Sequence, residues 1–160
     1  MPDPVQMLID DHKKVKDLFQ QFERADGGRE KRKIVGEAIR KLRVHSALEE
    51  QVFYPAIRAV KEADDIMNEA DEEHQMADIL MDELESMTPR HSHYDAKFTV
   101  LAESVRHHIE EEEGEMFPKA KGLGDERLRS LGEQMSQLKQ QLTRNGGAAR
   151  RSSPDRARSK

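Results

Sequence analysis

The sequence predicts an all-α chain: an antiparallel up-down four-helix bundle, then an additional C-terminal amphipathic helix and a disordered basic tail. Three observations predict it. Aromatics make up only 4% with no Trp, while Glu, Lys, Leu, Met and Gln abound, which argues against a sandwich or barrel. Turn signals at Asp26-Gly27-Gly28, Thr88-Pro89 and Gly122-Leu123-Gly124, with a softer break at Ala63-Asp64-Asp65, cut the chain into long segments. Within each segment apolar residues recur in steps of three and four, the seam of packed helices.

The first helix starts at Asp3, a fitting N-cap, with Pro4 at the first helical position and Gln6 at capping-box spacing. Its stripe is Val5, Leu8, His12, Val15, Phe19 and Phe22. The second stripe is Val35, Ala38, Leu42, His45, Glu49, Val52 and Ala56, and the third is Met67, Ala70, His74, Ala77, Met81 and Leu84. The fourth is Phe98, Leu101, Val105, His108, Glu112 and Met116. Residues 1–121 form the bundle on this reading, and short connections make antiparallel neighbours the natural arrangement. Residues 122–143 form an accessory helix with Leu128, Leu131, Met135, Leu138 and Leu142 on one face, packing on the bundle, on a partner protein or on another copy. Residues 144–160 hold six basic residues against one acid, so the net charge of -5 conceals a tail of +5 on a body of -10. That tail lacks periodicity and reads as solvated, with a weak tether to nucleic acid or anionic surfaces as the alternative and no specific nucleic-acid partner expected.

Absences bound the function. Zero Cys excludes disulfides and thiolate metal sites. No stretch approaches the roughly 18–20 apolar residues of a membrane span, and no signal-peptide pattern opens the chain. A cytoplasmic location is the expectation.

The informative count is seven His. One interrupts the apolar stripe of each helix, and in the second and fourth a Glu follows four residues later on the same face. Buried Glu needs partners and buried His needs a hydrogen bond or a metal, so these groups can satisfy one another only by converging. An internal repeat strengthens this. Asp11-His12 is followed by His45…Glu49-Glu50-Gln51-Val52-Phe53-Tyr54-Pro55, and Glu73-His74 by His108…Glu112-Glu113-Gly114-Glu115-Met116-Phe117-Pro118. From His to Pro is ten residues in both copies. Two such halves around a pseudo-two-fold predict two metals sharing two carboxylates, with ligands His12, His45, Glu49, His74, His108 and Glu112.

Residues i and i+4 lie about 40° apart around a helix, so each His–Glu pair can chelate. Imidazole plus carboxylate suits iron or manganese, with zinc not excluded by ligand type. Of roughly twelve positions on two octahedral ions, four His, two bridging Glu and one oxo or hydroxo bridge leave about two open.

At these residues the chain resembles the hemerythrin-like, or HHE, cation-binding family, over roughly Asp3 to Lys121. The resemblance implies a four-helix bundle with two non-heme, oxo- or hydroxo-bridged iron ions, manganese or zinc ranking behind. It also implies dioxygen or hydrogen peroxide as the small ligand. Two function classes stay open: catalase-like peroxide disproportionation, and non-enzymatic binding or sensing of oxygen or iron. The chain departs from the oxygen carriers at Asp78, where they have a second His. Their last carboxylate would fall on Glu113; the stripe with Val105 and His108 favours Glu112.

The remaining candidates have blander readings. His107 lies off the stripe, although a His107–Glu111 register exists, and His91 and His93 flank a turn facing water. Glu50 and Glu113 are solvated acids or outer acids orienting the His ligands. Tyr54 points away from the seam if the helix stays regular, a geometry that Pro55 can disturb. A ferritin-like site would need Glu-x-x-His pairs, but Ile9, Leu42, Asp71 and Val105 occupy the i-3 positions. Zinc hydrolysis would need H-E-x-x-H, which is missing.

Overall fold

A computed structural model describes residues 2–145. Helix α1 (Pro4–Arg24) begins as the sequence requires: Asp3 Oδ1 accepts from the backbone N–H of Val5 at 2.9 Å and Gln6 at 3.3 Å. The capping box is only half made, because the Gln6 amide donates to Asp10 at 2.9 Å and does not return to the cap. Gly27, with φ +88°, turns the chain into α2 (Gly28–Leu48), a backbone conformation that side-chain-bearing residues rarely adopt. Helices α4 (Asp64–Glu85) and α5 (Tyr94–Glu111) form the second hairpin. Gly124, with φ +86°, starts α7 (Asp125–Arg144).

Two π-helical turns, Glu49–Phe53 and Glu112–Met116, follow α2 and α5. Each leads into a short helix carrying a proline, α3 (Tyr54–Ile57) and α6 (Phe117–Ala120). Proline brings no N–H and crowds the carbonyl of the preceding turn, and widening that turn by one residue relieves both problems.

The hairpin α1–α2 packs on the hairpin α4–α5, with α1 beside α5 and α2 beside α4, closing a four-helix bundle. The core divides in two. At the α1–α2 turn end, Phe22 and Phe98 lie 4.5 Å apart at their ring centroids, and Phe19 meets Phe98 edge-on at 5.6 Å. At the opposite end Leu8, Leu48, Phe53, Met67, Met116 and Met135 form a second cluster. Between them lies the belt of His and Glu. All predicted stripe residues are buried except Val5, Val52 and Ala77, which are half-buried.

Helix α7 lies against α1 and α2, burying Leu131, Gly132 and Met135. Of its expected apolar face, Leu131 and Met135 are buried on the bundle, and Leu128, Leu138 and Leu142 are half-buried. A Cβ on Gly132 would come within 1.9 Å of the Pro2 carbonyl oxygen, so α7 docks at this height because position 132 has no side chain. The helix runs through Arg144, and the basic tail expected beyond it lies almost wholly outside the described residues. No helix among the described residues is long and apolar enough to cross a membrane.

Candidate metal centre

Four helices deliver one imidazole each to the middle of the bundle: His12, His45, His74 and His108, all buried. Glu49 and Glu112 open the two π-helical turns and are 0% and 1% exposed. The structure thus brings all six sequence-predicted residues together. They sort into two quartets, His12/His45/Glu49/Glu112 and His74/His108/Glu49/Glu112, whose donor atoms lie within 4.8 Å of one another. Both quartets share the same two carboxylates.

Contacts inside the cluster use Nε2 of each ring. His12 Nε2 lies 3.0 Å from Glu112 Oε1, and His45 Nε2 lies 3.2 Å from Glu49 Oε2. His74 Nε2 lies 3.0 Å from Glu49 Oε1, and His108 Nε2 lies 3.0 Å from Glu112 Oε2.

The outward Nδ1 atoms each meet a different carboxylate. His12 Nδ1 is 2.7 Å from Glu113, His45 Nδ1 3.2 Å from Asp11, His74 Nδ1 2.8 Å from Glu50, and His108 Nδ1 2.6 Å from Glu73. A carboxylate can only accept, so Nδ1 carries the proton in each contact and the Nε2 lone pair is turned inward. Every outer acid is the chain neighbour of an inner residue. Asp11 precedes His12 but holds the His of α2; Glu50 follows Glu49 but holds the His of α4. Glu73 precedes His74 and holds the His of α5, and Glu113 follows Glu112 and holds the His of α1. The four contacts therefore run once around the bundle, α1 to α2 to α4 to α5 and back to α1. This gives Glu50 and Glu113 the orienting role that the sequence left open, and adds Asp11 and Glu73 to it.

Tyr54 also enters the site, contrary to the regular-helix expectation. Five residues after Glu49 in an unbroken helix is about 140° away around the axis. The π-helical turn absorbs one residue, so Tyr54 lies as an i+4 neighbour would, about 40° from Glu49. Its hydroxyl donates to Glu112 and lies 3.2 Å from Glu49 Oε1 and 3.1 Å from Nε2 of both His74 and His108. The repeat partner Phe117 swings inward in the same way, but carries no hydroxyl. It stacks on His12 with centroids 5.9 Å apart and planes within 4°. The two quartets share carboxylates and differ in this one oxygen. The sequence signal for both was the proline one position later, at Pro55 and Pro118.

The inner shell consists almost entirely of acceptors. Nε2 of His12 and His45, Oε2 of Glu49 and Oε1 of Glu112 are buried without a hydrogen-bond partner. Lone pairs facing one another at such distances demand a cation between them. In the metal-free protein protons answer that demand. Burial would lower the pKa of His45, but the Glu49 carboxylate and the hydrogen bond to Asp11 raise it to about 10. For His74, burial again opposes, and the hydrogen bonds to Glu49 and Glu50 bring it to about 9. Burial and the Glu49 and Glu112 charges push the Tyr54 hydroxyl well above its usual range, so it stays protonated. Asp11 is held at about 2, burial being outweighed by His45 and Lys139.

A small cavity of about 30 Å³ opens beside the cluster, walled by Val15, Leu42, Ala77, Met81, Val105 and Ile109 and bordered by the cluster itself and by Ser46, Glu73 and Ser104. One water needs about 10–15 Å³ of such space, so it suits a molecule of two or three heavy atoms.

Other predicted candidates fall elsewhere. His107 is 66% exposed, 3.5 Å from Glu111 on the outer surface, and His91 and His93 are exposed. Asp78, in the place of the carriers' additional His, is buried 4.0 Å from Arg43, which also bonds Asp82 and Glu85 at 2.9 Å. That position serves a charge cluster joining α2 to α4.

Among solved structures, a hemerythrin HHE cation-binding domain-containing protein from Mycobacterium kansasii superposes with a TM-score of 0.77, at 24% identity over 93% of this chain and 97% of that one. A DNA nickase from Nostoc sp. (strain PCC 7120) is 26% identical over 107 residues, which are 67% of this chain and 30% of the nickase. The chain thus spans less than a third of that relative's length. The Hemerythrin HHE cation binding domain family matches residues 3–120, the stretch that builds the bundle and every inner and outer residue of the cluster. The chain belongs to the hemerythrin family of HHE cation-binding domains.

Proposed function

We propose that this is a non-heme di-iron protein that binds dioxygen, with peroxide decomposition as the second reading. His12 and His45 would hold one ion, His74 and His108 the other, and Glu49 and Glu112 both. The observation that carries this is the inward shell: eight nitrogen and oxygen atoms of four imidazoles and two carboxylates, buried, with four lacking any hydrogen-bond partner. Such a shell matches a hard or borderline cation. When bound, iron supplies reversible redox chemistry and an open position for the small ligand.

The chain's own residues do the rest. The outer acids fix each imidazole in one tautomer and orientation and raise its basicity. Glu49 and Glu112 set the separation of the two quartets and offset their charge. The largely apolar cavity suits an uncharged diatomic, which supports dioxygen. Ser46, Ser104 and Glu73 also border it, so peroxide too would find hydrogen-bond partners there. The Tyr54 hydroxyl favours the second reading, because peroxide turnover requires a proton at hand and this one touches both Glu112 and Glu49.

Protein purified from iron-supplied cells should carry about two irons per chain. A single tightly held zinc, or no metal, would overturn the reading. Adding peroxide and following oxygen evolution then separates the classes: a stoichiometric colour change supports the binder, and sustained oxygen release supports the enzyme.

A further inference from the structure

Helix α7 lies outside the residues matched by the HHE family, yet it reaches the centre. Lys139 follows the fully buried Met135 by one turn, so it leaves α7 at the edge of the docked face. Its Nζ lies 2.6 Å from Asp11 Oδ1, while Asp11 Oδ2 lies 3.2 Å from His45 Nδ1. Each carboxylate oxygen thus has one partner, and the Asp11 plane is fixed from both sides.

This link differs from the other three in the ring. Asp11 is one methylene shorter than Glu50, Glu73 and Glu113, and its contact is the longest, 3.2 Å against 2.6–2.8 Å. In the second half of the repeat the equivalent acid, Glu73, lies 2.6 Å from its imidazole. In the first half the shortfall coincides with a cation supplied from beyond the repeat. A carboxylate fixed at one oxygen by a long hydrogen bond can rotate away, and a second anchor prevents it. Lys139 is itself half-buried and borders an open cleft of about 470 Å³ between α1, α2 and α7, so solvent reaches the link whenever the lysine leaves.

Resting on the di-metal reading above, we infer that α7 is a latch on one half of the centre: Lys139 is a positioning residue that holds Asp11 on His45, so that the His12/His45 ion is retained only while α7 is docked.

The test uses iron-loaded full-length chain and a colorimetric chelator. Lys139→Met should release one iron per chain at least tenfold faster than wild type, while the second leaves at the wild-type rate; outer partners are typically worth 10–100-fold in affinity. Lys139→Arg should restore slow release. The double variant Asp11→Asn/Lys139→Met should release no faster than Asp11→Asn alone, since one change already breaks the link. A lysine that merely stabilises α7 would instead add to the Asp11→Asn effect. A second readout needs no metal: in the metal-free chain, the exchange-protected Nδ1 proton of His45 should be lost on Lys139→Met and kept on Lys139→Arg. Unchanged release together with an unchanged His45 proton, or full additivity in the double variant, overturns the latch. Wild-type protein that holds no metal would overturn the di-iron reading instead, and the His45 proton would still decide whether Lys139 positions that ring.

Discussion

Replacing Glu113 with Gln separates the two carboxylates on which the fourth helix could rely. Glu113 accepts from His12 Nδ1 at 2.7 Å with 34% of its side chain exposed, whereas Glu112 is fully enclosed and belongs to both quartets. Glutamine keeps an oxygen that can accept from the imidazole and removes the charge. The loss is therefore that of an outer partner, 10–100-fold in affinity, or about 1.4–2.7 kcal/mol. Partial exposure places it near the lower end, about tenfold. It should also be confined to the His12/His45 quartet. Glu112→Gln should instead empty both quartets and, in the metal-free chain, strip the paired imidazolium ions of a buried counter-charge, a change that typically costs about 3–5 kcal/mol. Iron per chain by elemental analysis, with chelator titration of each variant, reads both effects. The reasoning fails if Glu113→Gln loses both ions while Glu112→Gln keeps them, for then Glu113 is the shared ligand.

Two further outcomes follow from the same geometry. In metal-free protein His45 and His74 are raised to about 10 and 9, above their unfolded value of about 6.5, so their ion pairs stabilise fully below that pH and fade as pH rises through 9 to 10. The urea midpoint should fall between pH 6.5 and 10, whereas metal uptake, which must displace those protons, should strengthen over the same interval; a midpoint that rises would contradict the pairing. Gly132→Ala should destabilise: alanine gains about 1 kcal/mol of helix propensity, but a Cβ pressed on the Pro2 backbone costs about 1–3 kcal/mol. A higher melting temperature for this variant would show that the N-terminal segment yields freely.

The bundle and the six inner residues were legible because burial and periodicity speak at the same positions. His12, His45, His74 and His108 stand where only apolar side chains should, and the i+4 Glu residues repeat the anomaly. The repeat supplied the pairing of halves that periodicity alone lacks. Tyr54 was not legible by angle counting, because the π-helical turn that brings it inward is a local response to Pro55 that a fixed 3.6-residue period cannot represent. Asp11 and Glu73 escaped for another reason. Each sits beside an inner His in the chain but serves a ring on the neighbouring helix, and which neighbour it reaches depends on how the helices pack. Lys139 lies 128 residues from its partner, with no pattern joining the two.

The outer ring also bears on how such a centre can be assembled at all. Of its four links, one lies within the first hairpin, one within the second, and two run between hairpins. Neither hairpin alone completes a quartet, because each quartet takes one carboxylate from each half. The arrangement is that of an isologous dimer of a helical hairpin, with the places of the two subunits taken by the two halves of one chain. On the di-metal reading, a chain severed in the turn at 58–63 would be a two-component system in which metal retention would report that both halves have met. The two halves differ, one carrying a phenol at Tyr54 and the other a bare ring at Phe117, as the identical subunits of a homodimer could not.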